Sequence, residues 1–548
     1  MTQTERQGQL KLNMKAIDYK LCILAAGSGT RNTTYQHLHK ALLPLGNKAV
    51  ISHIIDLVPS HVPVVIAVGY KKEQVMAYVN YTHPDKEIEF VDIENFDGPG
   101  SGPGLSLFEC REHLECPFIF LGADTLIDPR EHNFVPDSNW VGVGSCSDWC
   151  DNTDTYCLYD VERGFYYGEN KGGWQEWNNC FIGIAGILDY KNFWKSLENP
   201  DLIKGEHQVL NGFKQLQDVS SLQFKSWRDT GNNMSYAYCR REYKDIVEPK
   251  PDEVIYIDNG KVLKYFNDEN KVTDRVARSL ILQPNVPDTH RLEPHIFGYD
   301  YIPGMRLSDI CNNELFDKFF DFVKHMYLKD GIRESTHYDE ERFNANCTKM
   351  YHDKTYARVA AHQELESLDK VKSINGHPVL PVKTLLDMVD WDEVNTKAVP
   401  AFLHGDMSPE NIIYDTENNK FVLIDWRDRF GDDLYIGDVY YDLSKLDHAF
   451  LVNGEVIRGQ RYKVNVNEES AEIEIHLRSN LLDARQHLEA FCINNNLDFG
   501  HVKLLTAITL LNIASAHSDK MFNRFLFLYG KTLLMENLND TGKLNSTV

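Results

Sequence analysis

The 548-residue sequence contains no apolar run of the ~18 residues that a membrane-spanning helix needs, so a bilayer span is not expected. It is also short of positive charge. Against 81 Asp and Glu stand only 57 Lys and Arg, a formal net charge of −24, which argues against a broad nucleic-acid-binding face built from clustered cations. Its 11 cysteines lack paired spacing; Cys146 and Cys150 have no matching second pair, so neither a disulfide framework nor a zinc site is expected. The first twenty residues lack the apolar centre of a secretory signal and read as a loose lead-in, and the expected location is cytoplasmic.

What is present is the composition of an ordinary globular protein, 42% hydrophobic and 25% charged, in a chain too long for one core. Over residues 19–190, short β-rich runs (KLCILAA, VPVVIAVGY, EIEFVDI, CPFIFLGAD, WVGVGSC) alternate with helix-like segments. That alternation predicts a three-layer α/β domain with a parallel sheet. EPKPDE, with two prolines, reads as a linker and places a boundary between residues 243 and 253. The expected domains are therefore 19–245 and 253–540. The second opens with VIYI and KVLKYF around Asp258, Asn259 and Gly260, a β-hairpin signal, and continues with mostly helical spacing over 307–394 and 472–536.

The first strand runs into Gly27, Ser28, Gly29, Thr30 and Arg31, a small-residue loop at the carboxyl end of a strand, where open α/β sheets bind ligands. Glycines admit a phosphate close to backbone N–H groups, and an arginine offers a planar fork to its oxygens. LAAGSGTR followed by HKALLPL resembles the signature of the sugar-nucleotide pyrophosphorylases and related cytidylyltransferases. The resemblance implies a Rossmann-like nucleotidyltransferase in which Gly27, Gly29, Arg31 and Lys40 grip a nucleoside triphosphate. One departure stands out: His39 occupies the position before the lysine where that superfamily usually has proline. Asp124, ending FIFLGAD, and Asp229, in WRDTG, match the superfamily's two Mg²⁺ ligands. DGPGSGPGLSL, at 97–107, matches its base-contacting loop and makes Gly100, Ser101 and Gly102 candidate nucleotide contacts, and Lys171 is a candidate phosphate grip.

FLHGDMSPENIIYDTENNKFVLIDW is the most specific stretch in the chain. It resembles the HxDxxxxN and IDW motifs of the aminoglycoside phosphotransferase and choline kinase superfamily, and implies an α+β protein-kinase-like domain. By that resemblance Asp406 accepts the proton of a substrate hydroxyl, Asn411 and Asp425 hold Mg²⁺ on the nucleotide phosphates, and His404 braces the loop. Lys264, in KVLKYF, resembles the ATP-phosphate lysine, Asp438 and Asp442 resemble loop-stabilising residues, and HIFGYDYIPG resembles the adenine-binding strand and hinge. Two departures accompany these matches. No Gly-rich loop precedes VIYI, and no glutamate in VTDRVARSLIL offers itself as a partner for Lys264.

The two halves together imply a bifunctional enzyme using ATP, a second NTP and Mg²⁺ at both sites. One half transfers a nucleotidyl group to a phosphorylated small molecule, a sugar or polyol phosphate; the other phosphorylates a hydroxyl, and the product is an activated precursor for a surface polysaccharide. Two alternatives remain open. The first is a choline kinase joined to a phosphocholine cytidylyltransferase, with Trp174, Trp177, Tyr440 and Tyr441 as candidate cage aromatics. The second is a non-catalytic nucleotide sensor or scaffold.

Overall fold

The computed structural model describes residues 18–543 apart from 30–32, 36, 146–156, 161, 163, 167–178, 204, 246, 248, 311, 330–337 and 518. Arg31, Lys171, Cys146, Cys150, Trp174 and Trp177 therefore lie outside the described residues. The chain divides into two compact units, Met1–Glu269 with His290–Tyr301, and Asn270–Thr289 with Ile302–Val548.

In the first unit, nine strands form one sheet: β1 (Lys20–Ala25), β2 (Val64–Val68), β3 (Ile88–Asp92), β4 (Phe118–Gly122), β5 (Trp140–Gly144), β6 (Leu158–Asp160), β7 (Gly164–Tyr166), β8 (Cys180–Ile187) and β9 (Ser220–Gln223). The order is β7-β6-β8-β4-β1-β2-β3, with β5 also paired to β8 and β9 to β5. Pairing is parallel from β4 through β1 and β2 to β3, as the alternation predicts. Beyond β4 the sheet is mixed, because β8 runs antiparallel to β4, β5 and β6. Period-two side-chain alternation sends Leu21, Ile23 and Ala25 to one apolar layer and Cys22, Leu24 and Ala26 to the other. Helices α1 (Val50–Ile55), α2 (Lys72–Thr82), α3 (Pro103–Glu109) and α4 (Asn233–Glu242) follow sheet strands or the WRDTG segment.

A second, antiparallel sheet of order β10-β11-β13-β12 comprises β10 (Glu253–Asp258), β11 (Lys261–Phe266), β12 (His290–Glu293) and β13 (Ile296–Asp300). The β10–β11 hairpin turns at Asn259 (φ 46°) and Gly260 (φ 72°), the positive φ pair that a tight primed turn demands. This sheet packs with the first unit. Val254, Tyr256, Leu263, Tyr265 and Ile296 belong to the same apolar cluster as Leu21, Ile23 and Ile66. The packing boundary thus falls later in the chain than the proline linker.

In the second unit, helices α5 (Glu269–Leu282), α6 (Asn313–Lys324), α7 (Lys354–Ala360), α8 (Val439–Leu451), α9 (Ser479–Asn494), α10 (Phe499–Ala514) and α11 (Lys520–Asp540) accompany short strands. β14 (Pro400–Phe402) pairs with β17 (Ile436–Asp438), and β15 (Ile412–Asp415) with β16 (Lys420–Leu423), all antiparallel. Asp438, Asp498 and Asp519 cap α8, α10 and α11 by accepting first-turn backbone N–H groups. Phe522, Phe525 and Phe527 are core residues. Within the stretch read as helical from 472, residues up to 475 instead form the end of a strand, β19 (Ser470–Ile475), paired with β18 (Tyr462–Val466). The alternation in SAEIEI overrides helical spacing there.

Candidate functional sites

In the first unit, a cavity of about 500 Å³ lies at the carboxyl ends of β1 and β4. Gly27, Ser28, Gly29, Lys40, Ser101, Gly102, Asp124 and Asp229 all line it. These residues are scattered over some two hundred positions of sequence, and the sheet topology gathers them: β1 delivers the glycine loop, and β4, its hydrogen-bonded neighbour, delivers Asp124.

Lys40 Nζ lies 3.0 Å from Asp124 Oδ2, and both side chains keep about a fifth of their surface accessible. Gly29, at φ +64°, approaches that lysine so closely that a Cβ would sit 2.7 Å from its Cδ, so the position requires glycine on two grounds. Asp229 is placed against Asp124 by a short antiparallel pairing of Arg228–Asp229 with Thr125–Leu126 and by the Thr230 N–H donating to the Asp124 carbonyl at 2.9 Å. Its own carboxylate accepts from Gly231 N at 2.7 Å and Asn232 Nδ2 at 3.3 Å. Ser101 and Gly102 reach the cavity from the other side. Gly100 is tied back by its N–H to Gly205 and is not among the lining residues.

His39 has a role that sequence reading missed. It is fully buried, its N–H donates to Gln74 Oε1 at 3.1 Å, and its Nδ1 accepts from Ala41 N at 3.1 Å, capping the 3-10 turn Lys40–Leu42 that carries the lysine. Burial, then the Lys40 charge, pushes the imidazole down to about 3, so it is neutral. A side-chain cap thus fixes the turn that carries Lys40. A second brace comes from Tyr256 on β10, whose hydroxyl donates to the Leu42 carbonyl at 2.5 Å.

In the second unit, the loop after β14 holds His404, Gly405 and Asp406. His404 is fully buried, with Nε2 3.0 Å from the Ile424 carbonyl and Nδ1 accepting from Asp406 N at 3.3 Å. Asp442, on α8, receives the backbone N–H groups of His404 (2.9 Å), Gly405 (2.9 Å) and Met407 (3.4 Å), together with the Tyr327 hydroxyl. Asp438 receives Val399 N and the Tyr351 hydroxyl, and burial pushes it up to about 6.

Asp406 is half open to solvent, and its Oδ1 meets Lys445 Nζ at 2.9 Å. Burial alone would raise its pKa; Lys445 holds it below the ordinary carboxylate value. Asn411 Nδ2 donates to the Asp406 carbonyl at 2.9 Å and to its Oδ2 at 3.3 Å, which draws the two motif residues together. Asp425 follows β16 in the left-handed region at φ +61°, a strained conformation for a non-glycine residue. Its Oδ1 lies 2.7 Å from Arg275 Nη1.

Helix α5 therefore answers the missing glutamate differently. Instead of an acid for Lys264 it supplies Arg275 to Asp425, Asp274 to Arg429 Nη2 at 2.9 Å, and the buried Arg278 to the carbonyls of Leu403 and Leu434. Lys264 itself is buried on β11 in the first unit, opposite Ile255 and Phe297. Among the described residues no group of three or more His, Cys, Asp or Glu forms a metal cage.

Residues 21–130 match the MobA-like NTP transferase domain, and residues 334–455 match the phosphotransferase enzyme family. The chain is similar to the bifunctional protein GlmU of Methanococcus vannielii, 28% identical over 247 residues, 42% of this chain and 56% of that protein. It is likewise similar to the GlmU of Methanococcus maripaludis strain C5, 25% identical over 227 residues, 38% of this chain and 51% of that protein. The matches thus span about half the length of these two curated relatives. Among solved structures, the CTP:phosphocholine cytidylyltransferase of Streptococcus pneumoniae is 18% identical with a TM-score of 0.32, covering 41% of this chain and 99% of that one. The inositol-1-phosphate CTP transferase of T. maritima is 16% identical with a TM-score of 0.31, covering 42% and 98%.

Proposed function

We propose that the chain is a nucleotidyltransferase and a kinase in one polypeptide, a reading supported by the match of residues 21–130 to the MobA-like NTP transferase domain and of 334–455 to the phosphotransferase enzyme family, with the following division of labour. The N-terminal site transfers a nucleotidyl group from an NTP to a sugar or polyol phosphate. The C-terminal site phosphorylates a small-molecule hydroxyl with ATP. Together they make an activated precursor for surface polysaccharide in the cytoplasm; the eight described cysteines, all unbridged, suit that compartment.

The observation that carries the first half is Lys40 at 3.0 Å from Asp124 beside a glycine loop, with Asp229 on the same cavity wall. An oxygen of the acceptor phosphate, already anionic, bonds to the α-phosphorus as the bond to pyrophosphate breaks, so no general base is required. Lys40 offsets the charge that accumulates, backbone N–H groups of 27–29 donate to phosphate oxygens, and Arg31 is assigned the same task by its motif. Asp124 and Asp229 present hard oxygen donors and would hold Mg²⁺, which supplies charge neutralisation on the triphosphate when bound.

In the second half, Asp406 accepts the hydroxyl proton, the freed oxygen bonds to the γ-phosphorus, and ADP leaves with the bridging oxygen. Asn411 orients Asp406 through its bond to the carboxylate. Asp425 and Asn411 would hold the Mg²⁺ of that site. A screen of four NTPs against phospho-acceptors, read by pyrophosphate release, tests the transferase. Turnover confined to phosphocholine would replace the sugar or polyol assignment, and no release with any acceptor while nucleotides bind would leave a sensor.

A further inference from the structure

Asp406 feels the Asp425 carboxylate on one hand and the Lys445 ammonium on the other. Lys445 lies on α8 at 2.9 Å from it, and one helical turn back on the same face is Tyr441, whose ring centroid is 6.0 Å from the Lys445 ammonium. Arg427, two residues after Asp425, donates to the Tyr441 hydroxyl at 3.2 Å. The charge of Lys354, at the start of α7, also reaches Tyr441, and Tyr351, just before α7, packs on Tyr441 at 6.3 Å between ring centroids; Arg358, one turn on in α7, is exposed. Of these cations only Lys445 meets a carboxylate at ion-pair distance among the described residues; Asp428, next to Arg427 in the chain, is the other acid that acts on it.

The cluster is strained electrostatically. Burial would push the Tyr441 phenol up, yet Arg427, Lys354 and Lys445 bring it below its ordinary value. Tyr441 raises Lys354, but burial together with Arg427, Lys445 and Arg358 outweighs it and the ammonium is pulled down. One turn beyond Lys445, His448 is driven to about 3 by burial and then by Lys445, so no further positive charge is accommodated. Packing like charges beside a catalytic carboxylate is unfavourable unless an anion completes the set.

Building on the kinase reading above, we propose that the acceptor carries an anionic group, a phosphate or a carboxylate, held by Lys354, Arg427 and Lys445 while its hydroxyl faces Asp406. The same cations repel a quaternary ammonium, so the choline alternative is disfavoured at this site. They are specificity determinants, because they act on the part of the acceptor that does not react.

The full chain, saturated with Mg²⁺ and a non-hydrolysable ATP analogue, is titrated calorimetrically with inorganic phosphate and, in a separate arm, with acetate. Saturable binding of at least one anion is expected, and the preferred one reports whether a phosphate or a carboxylate fits. Arg427→Met and Lys354→Met should each weaken it at least about tenfold, the worth of one charge-assisted hydrogen bond. Lys354→Arg should recover part of the loss, and Lys40→Met, in the other site, should leave this binding in place. Failure of both anions to bind, affinity in both Met variants unchanged from the wild type, or binding of choline in their stead overturns the proposal. ADP formation that survives Asp406→Asn would unseat the kinase assignment of Asp406 instead, and is read independently of anion binding.

Discussion

At the residue scale, the two sites answer to different carboxylates, and the variants should separate them. Asp124→Ala is expected to abolish pyrophosphate release while ADP formation persists, and Asp406→Ala to do the converse; loss of both activities in either folded variant would contradict independent sites. Residue chemistry also sets an acid limit. His39, His448 and His501 are pushed from 6.5 to about 3, 3 and 4, in each case first by burial. Their folded pKa values are depressed, so the unfolded chain binds more protons between about 4 and 6.5, and stability falls as pH drops through that window. Asp438, raised to about 6 from 3.8, works the other way but is one group against three. Thermal midpoints recorded from pH 7.5 to 4.5 should decline, and His39→Gln should flatten the decline.

At the element scale, the loop that carries Asp406 is held by α8. Asp442 gathers backbone N–H groups of His404, Gly405 and Met407, and replacing it by Ala strands those buried donors. The expected loss is about 3–5 kcal/mol, measured by denaturant titration, together with kinase activity. The hairpin β10–β11 has a comparable bearing on the other site. Tyr256→Phe removes only the hydroxyl bond to Leu42, two residues beyond Lys40, so it should cost about 1 kcal/mol and raise the KM for the NTP more than it lowers kcat. An unchanged KM would mean that the brace does not reach the lysine.

At the scale of the whole molecule, the first compact unit does not end at the proline linker. Val254, Tyr256, Leu263, Tyr265 and Ile296 share its core, and Asp258 adds an ion pair with Lys48 at 3.0 Å. A chain cut after residue 245 would expose several fully buried apolar side chains, each worth about 1.5–3 kcal/mol of burial. Such a fragment is expected to aggregate or to melt well below the full chain, whereas a fragment extended through residue 301 keeps that sheet; equal melting of the two would refute the shared core.

How much was legible beforehand depended on chemistry carried by contiguous residues. LAAGSGTR and HGDMSPEN announce their loops because glycine, a strand end and a carboxylate at fixed spacing are local requirements, and Asn259-Gly260 announces its turn for the same reason. His39 was read as a departure from proline; its cap on Ala41 became visible only with the ring in place. Helix α5 looked deficient for want of a glutamate, since nothing in VTDRVARSLIL tells that Arg275 meets Asp425, 150 positions later.

The sequence by itself determined the parallel run of strands that opens the first domain and the order of the motif residues, since these follow from periodicity and local backbone demands; the two reaction types it implied through the resemblance of those motifs to known families. Tertiary structure alone decided that β8 reverses and makes the sheet mixed, that the second domain's opening strands complete the first unit's core, and that Lys445, on a helix later in the chain, meets Asp406. Those outcomes depend on which distant side chains share a buried volume, and long-range packing and electrostatics leave no periodic trace in the chain.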